Sequence, residues 1–298
     1  MGDGMTAEKA SVVIASHNNA AVLRRVLNGM LKLDYPKGSY EVIVVDDGSK
    51  DNTKEMMREF AGEKLIKFIP LPSGGVCKAR NRGIREARFP IVINMDHDCI
   101  PEKKWLKKMV AGFKDEKTGV VSAYGHFGGT STGFRKKILE KVGGYDEEYH
   151  YYREDTDLAF RVMEAGYEFT RVEAEYEHDH KMVKPEGAAA FLRHVLQRAN
   201  YHMNDALLYK NHPNELCREF LNVKLGFIVS PVADFRTATG LWEGGGNKFE
   251  LSSPRGITFL ENKSAGHALA IILGGIAWVC AVKIARLKGS IKFGKLLI

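Results

Sequence analysis

Two short groups of carboxylates stand where catalysis could use them. Asp96-His97-Asp98 follows an apolar run at residues 90–95, so its two carboxylates, two apart on an extended chain, face the same side. Paired hard oxygens suit Mg²⁺ or Mn²⁺, ions that complete their shells with phosphate oxygens and water. An isolated triplet of this kind is more often a polar turn. Glu154-Asp155 stands just before an amphipathic helical segment at residues 156–165. Acids there complement the helix dipole, and a carboxylate beside an acceptor hydroxyl is also what a general base requires.

Two further groups are candidates. Gly74-Gly75 opens a helical pattern with Lys78, Arg80 and Arg82 on its first turns. Backbone N–H groups and the helix dipole at such a point offer a site for phosphate oxygens, although the loop is neither a Walker loop nor GxGxxG. His178-Asp179-His180 places alternate imidazoles on one side of an extended segment, where one of them could ligate the metal.

The elements that must position these groups follow from hydrophobic period. Short β-rich runs at residues 11–16, 41–46, 64–70, 90–95 and 119–124 alternate with helical patterns at 19–33, 51–61, 76–87 and 103–113. Near-continuous Val/Ile runs between helices predict an α/β, doubly wound, mostly parallel sheet. Ligands of such sheets bind at the carboxyl ends of the strands. Polar residues follow the runs at that edge: His17 and Asn18; Asp46, Asp47, Gly48 and Ser49; Asp96, His97 and Asp98. Any one group reads as turn chemistry, but three converging on one edge predict a ligand site.

The 298-residue chain has 44 % hydrophobic and 27 % charged residues, a globular composition able to bury a large core. Its four cysteines form no CxxC pair, which argues against a disulfide scaffold or zinc ribbon. The net charge of +7 is unevenly placed. Lys283, Arg286, Lys288, Lys292 and Lys295 follow residues 264–282, a stretch of 19 residues without a formal charge. That arrangement points to a membrane surface and away from nucleic acid. The first ten residues are polar and the apolar run after them is too short for a signal core, so the body is expected to stay in the cytosol. The expected organisation is a tail at 1–10, a catalytic or binding domain at 11–212, and a membrane-associated region at 213–298, with an apolar helix at about 264–282 and a basic tail at 283–298. Either a hairpin with the apolar stretch near 225–235 or a helix lying in the interface keeps that tail on the cytosolic side.

The series 12–18, 44–51 with Thr53, 79–84, Asp96-His97-Asp98, 143–149 and 154–161 closely resembles, in order, the family 2 glycosyltransferases of the GT-A fold. The resemblance covers about residues 10 to 182. It implies an inverting enzyme that moves a sugar from a nucleoside-diphosphate sugar to a hydroxyl, using Mn²⁺ or Mg²⁺. Asp46 or Asp47 would recognise the base, with Asn18 beside them. Arg80 would lie near the base and diphosphate, Asp96 at the ribose, and Asp98 on the metal. Asp155 resembles the catalytic base, with Glu154 beside it, and His178 or His180 falls where some members add a metal or diphosphate contact.

The implied donor is most often a UDP-sugar and the implied acceptor a glycan or lipid-linked group, handled at the cytoplasmic face of a membrane in glycan, glycolipid or cell-envelope polysaccharide synthesis. Two other readings compete: an inactive nucleotide-sugar-binding scaffold, against which Asp96, Asp98 and Asp155 together speak, and a sugar-phosphate nucleotidyltransferase, whose glycine-rich first loop is replaced here by Ser16-His17-Asn18-Asn19.

Overall fold

A computed structural model describes residues 8–124, 127–179, 184–239, 248–251 and 257–298. The chain divides into two compact units, Met1–His180 and Lys181–Ile298. The division falls upstream of the boundary expected near His212, because the helices between the two points group with the C-terminal elements.

The first unit runs β1 (Ala10–Ser16), α1 (Ala20–Leu31), β2 (Tyr40–Asp47), α2 (Thr53–Met57), β3 (Ile66–Leu71), α3 (Val76–Glu86), β4 (Ile91–Asp96), β5 (Cys99–Pro101), α4 (Trp105–Ala111), β6 (Thr118–Ser122), β7 (Thr132–Arg135), α5 (Lys136–Val142), α6 (Glu154–Glu164), β8 (Glu168–Arg171) and β9 (Tyr176–His178). Seven strands form one sheet in the order β3-β2-β1-β4-β7-β6-β8. Its first four strands are mutually parallel, as the Val/Ile runs predict. β7 lies antiparallel between β4 and β6, so the sheet is mixed but mostly parallel.

The core explains the order. Val12, Ile14, Val42, Val44, Ile91 and Ile93 are buried from the central strands, and α1 covers them with Leu23, Val26, Leu27 and Met30 at helical spacing. On α3 a Cβ at Gly83 would collide with Val13, so glycine there lets the helix approach β1 closely. This closeness carries Arg80, less than one turn earlier on α3, toward the strand ends.

The second unit contains α7 (Ala188–Asn200), α8 (Met203–Asn211), α9 (Glu215–Phe220), β10 (Val223–Leu225), β11 (Ile228–Val229), α10 (Pro231–Thr239), β12 (Lys248–Leu251), β13 (Ile257–Glu261) and α11 (Ala265–Phe293). Two expectations need correction here. The stretch near 225–235 is a β-turn-β element followed by the start of a nine-residue helix, so it supplies no apolar helical arm for a membrane hairpin. The apolar helix expected at about 264–282 also runs further, since α11 continues without a break through Phe293 and takes in most of the basic tail. Within it the Arg286 guanidinium is buried against Asp205 at 2.9 Å and Asp234 at 2.8 Å, and Lys283 bonds Asp234 at 3.1 Å.

Candidate active site

Parallel register sets the edge on which the site is built. Ser16 pairs with Asp46 across β1 and β2, and Ala15 pairs with Asp96 across β1 and β4, so Asp46 and Asp96 come within one residue of the same level at this edge. Asp96 is held by its own backbone, whose N–H donates to Thr130 Oγ1 at 3.0 Å.

Arg80 is the hub of the site. Its Nη2 donates to Asp96 Oδ1 at 3.0 Å, while Nη1 donates to Glu154 Oε1 at 3.2 Å and Asp155 Oδ1 at 3.1 Å. One buried guanidinium thus meets three carboxylates from a strand end and a helix start. Burial opposes its charge, but Asp155, Tyr145, Asp96 and Glu154 outweigh burial and hold Arg80 well above its ordinary pKa. The family resemblance implies that Arg80 lies near base and diphosphate; in the structure its side chain contacts three carboxylates.

The three acids are not equivalent. Glu154 is buried, and burial together with the Asp155 charge pushes its pKa up to about 7 despite Arg80. Its Oε2 has no hydrogen-bond partner. Asp96 is raised as well, first by enclosure in protein and then by the neighbouring Asp155 and Asp98 charges, although its side chain stays 37 % accessible. Asp155 is positioned from both sides: Tyr145 donates its hydroxyl to Oδ1 at 2.9 Å, and the Arg80 guanidinium lies 5.2 Å from the Tyr145 ring centroid. The approach to α6 is strained, because Tyr152 and Arg153 both take positive φ, 73° and 79°.

Asp98 and His178 meet at a pair of short strands. β5 pairs antiparallel with β9, setting Cys99 opposite His178, and His178 Nε2 stands 3.3 Å from Asp98 Oδ1. Ligand atoms of Asp98, Cys99 and His178 lie within 4.8 Å of one another. Adjacent ligands of a small octahedral ion bound at about 2.1 Å are themselves about 3 Å apart, so the carboxylate–imidazole pair fits such an ion. Burial pushes the Cys99 thiol up; Mg²⁺ and Mn²⁺ prefer hard oxygen and imidazole donors to soft sulfur, so Asp98 and His178 are the donors suited to such an ion. His180 lies outside the described residues.

The first wall of the site is a set of latched turns. Asn18, at φ 49°, accepts from Lys50 N–H at 2.7 Å through Oδ1, and its own N–H donates to Ser49 Oγ at 2.9 Å. Asp46 accepts from the Ser49 N–H at 3.3 Å and from the Ser49 hydroxyl. The Gly74 and Gly75 amides, read from sequence as a place for phosphate oxygens, donate instead to the Asp47 carboxylate at 2.6 to 3.2 Å. Asp47 already fills that anion site.

Sequence reasoning assigned no role to Tyr145, Asn81 or Gly128. Asn81 holds the Tyr145 backbone from both ends, donating to its carbonyl at 2.9 Å and accepting from its N–H at 2.8 Å. Gly128, at φ 89°, leaves room for Asp155, since a Cβ there would fall 2.6 Å from that residue's backbone. The tyrosine and asparagine both lie inside stretches quoted for the family resemblance, and that was the available signal.

The fold is of the GT-A type. The profile of the family described as "Glycosyl transferase family 2" matches residues 11–196, and the chain belongs to that family. It is 31 % identical over 203 residues to the probable glycosyltransferase YdaM of Bacillus subtilis (strain 168), covering 53 % of this chain and 47 % of that protein. The chain spans about half the length, or less, of the curated relatives it matches. Among solved structures it resembles the mannosyltransferase PcManGT from Pyrobaculum calidifontis in complex with GDP-Man and Mn²⁺, with a TM-score of 0.60 at 18 % identity over 96 % of this chain and 86 % of that one. It also resembles S. aureus TarS 1-349 in complex with UDP-GlcNAc, with a TM-score of 0.50 at 18 % identity over 96 % of this chain and 92 % of that one. These likenesses establish the GT-A-like fold.

Proposed function

We propose that this chain is a metal-dependent inverting glycosyltransferase, moving a sugar from a nucleoside-diphosphate sugar to an acceptor hydroxyl. The observation that carries the reading is the Asp155 carboxylate, held between Arg80 and Tyr145 at the same strand edge as Asp96 and Asp98. Asp155 takes the proton as the acceptor oxygen bonds to the anomeric carbon and the bond from that carbon to the diphosphate oxygen breaks on the opposite face. Asp98 and His178 would hold Mn²⁺ or Mg²⁺, which when bound neutralises charge on the leaving diphosphate. Asp96 serves the ribose, while Asn18, Asp46 and Asp47 shape the turns against which the base rests.

Arg80 offsets the mutual repulsion of the Asp96, Glu154 and Asp155 carboxylates that meet around it. Glu154 keeps its proton more readily than an exposed glutamate. TarS is solved with UDP-GlcNAc and PcManGT with GDP-Man and Mn²⁺, which supports a nucleoside-diphosphate donor and a divalent ion. We favour a UDP-sugar donor and a glycan or lipid-linked acceptor, handled at the cytoplasmic face of a membrane in cell-envelope polymer or glycolipid synthesis. Thermal-shift titration with UDP, GDP and dTDP plus Mn²⁺, followed by nucleoside-diphosphate release from the matching sugars, tests the reading. A nucleotide that binds with no sugar released to any hydroxyl acceptor or to water would favour the inactive scaffold.

A further inference from the structure

Exposed large hydrophobic residues are almost confined to the second unit: Tyr151 is the one example among the described residues of the first. The richest source is α11. Leu269, Leu273, Ile276, Ile284, Leu287 and Ile291 are all exposed, and their three- and four-residue steps, completed by Cys280, set them on one stripe along the helix. The opposite stripe, through Ile271, Gly275, Val282, Ala285, Gly289 and Phe293, is buried. At about 1.5 Å per residue the apolar stripe runs on the order of 30 Å; Lys283, three residues after Cys280, lies at its edge and is turned to Asp234 at 3.1 Å.

Charge identifies what could cover it. The second unit has sixteen Lys and Arg against eight Asp and Glu, so it holds more than the whole net positive charge of the chain. α11 contains no acid, and exposed Lys288 and Lys292 flank the stripe. A second copy would bring like charge to the contact, whereas an anionic lipid surface brings the opposite charge.

The packing also decides how the helix would meet a bilayer. Ile271 and Trp278 pack with Phe249 of β12, Phe259 of β13, and Phe191 and Val195 of α7. Those elements carry Lys248, Glu250, Glu261, Arg193 and Arg198. Crossing the hydrocarbon would either drag these charges with α11 or strip its buried stripe. Further along, the Arg286 ion pairs with Asp205 and Asp234 fasten the same helix to α8 and α10.

We propose that α11 lies in the plane of an anionic membrane surface, with its exposed stripe in the lipid and its other face docked on its own unit, and that it does not span. This deepens the membrane part of the proposed function, on which it rests.

The test uses the full chain labelled at Cys280, the exposed cysteine, with an environment-sensitive fluorophore. The labelled chain is mixed with phosphatidylglycerol–phosphatidylcholine vesicles carrying quenchers at shallow or deep acyl positions. Leu269→Cys and Ile291→Cys, each in a Cys280→Ser background, are labelled in parallel. The expected result is shallow quenching at equal depth for all three sites. Binding should weaken by about tenfold or more on purely phosphatidylcholine vesicles and for Leu273→Gln with an unchanged melting temperature. A depth gradient from residue 269 to 291 overturns the in-plane arrangement and leaves a span. No quenching, or a lipid-free dimer that shields the labels, overturns the membrane surface altogether. Nucleoside-diphosphate binding is measured on the same preparations, so loss of the transfer reading registers separately from loss of the lipid contact.

Discussion

The Tyr145 hydroxyl and the Asp155 carboxylate are joined by a hydrogen bond of 2.9 Å to the same oxygen, Oδ1, that Arg80 reaches at 3.1 Å. Burial and the Asp155 charge raise the phenol above its ordinary pKa, so it remains a donor. Tyr145→Phe keeps the ring beside Arg80 and removes only this bond. Turnover should fall about tenfold, as expected for one charge-assisted hydrogen bond, with donor affinity within about twofold of the parent. Steady-state kinetics separating kcat from KM checks it; a change in KM alone would assign Tyr145 to binding.

Asp155→Asn retains shape and hydrogen bonding but loses basicity. Transfer should drop by about 10²- to 10⁴-fold while nucleotide-sugar binding persists. Single-turnover transfer from pre-bound donor is the deciding measurement, and a normal rate there would send the search for the base elsewhere.

Glu154 makes stability depend on pH in a definite direction. With its pKa raised from 4.5 to about 7, the folded chain holds this proton more tightly than the unfolded chain does. The resulting stabilisation is fully present below about pH 4.5 and is lost as pH rises through about 7. Glu154→Gln imitates the protonated acid at every pH. Melting curves should show parent and variant close together near pH 4.5 and the variant ahead at pH 8, by on the order of 2 kcal/mol.

Asp98→Asn should remove the extra thermal stabilisation that Mn²⁺ gives in the presence of a nucleoside diphosphate, about 2.7 kcal/mol at a hundredfold excess over Kd. His178→Ala should reduce it without abolishing it. Undiminished stabilisation in Asp98→Asn, or full activity in excess chelator, would remove the metal from the scheme.

Arg286→Met takes the guanidinium away from the buried Asp205 carboxylate, which also meets His202 Nδ1 at 2.9 Å. Urea unfolding should report a loss of about 3–5 kcal/mol, with part of it recovered when Asp205→Asn is added. A loss below about 1 kcal/mol would mean that the ion pairs are solvated.

What the sequence disclosed and what it hid have physical reasons. β1, β2 and β4 were legible because strands buried on both faces leave unbroken Val/Ile runs, and Asp96 and Glu154 were legible because each ends or begins such a periodic element. The antiparallel insertion of β7 was hidden, since Thr132–Arg135 is four residues long and carries no alternation of its own. The contact of the Asp47 carboxylate with the Gly74 and Gly75 amides was hidden, because composition does not reveal which backbone amides a carboxylate reaches. Tyr145 depends on a contact across ten residues and on Asn81 far upstream. The ion pairs of Arg286 were hidden because Asp205 and Asp234 stand 81 and 52 positions before it.

Two consecutive side-chain-bearing residues in the left-handed region, Tyr152 and Arg153, hold the start of α6 like a loaded catch. Each such residue stores about 1–3 kcal/mol, and Arg153→Gly would release part of it, making a sturdier protein. The same relaxation would free the first turn of the helix to rock, and Asp155 would then sample orientations unsuited to the acceptor. Screening for heat resistance alone would therefore select against precision at this position, and libraries aimed at ruggedness should leave residues 152 and 153 untouched.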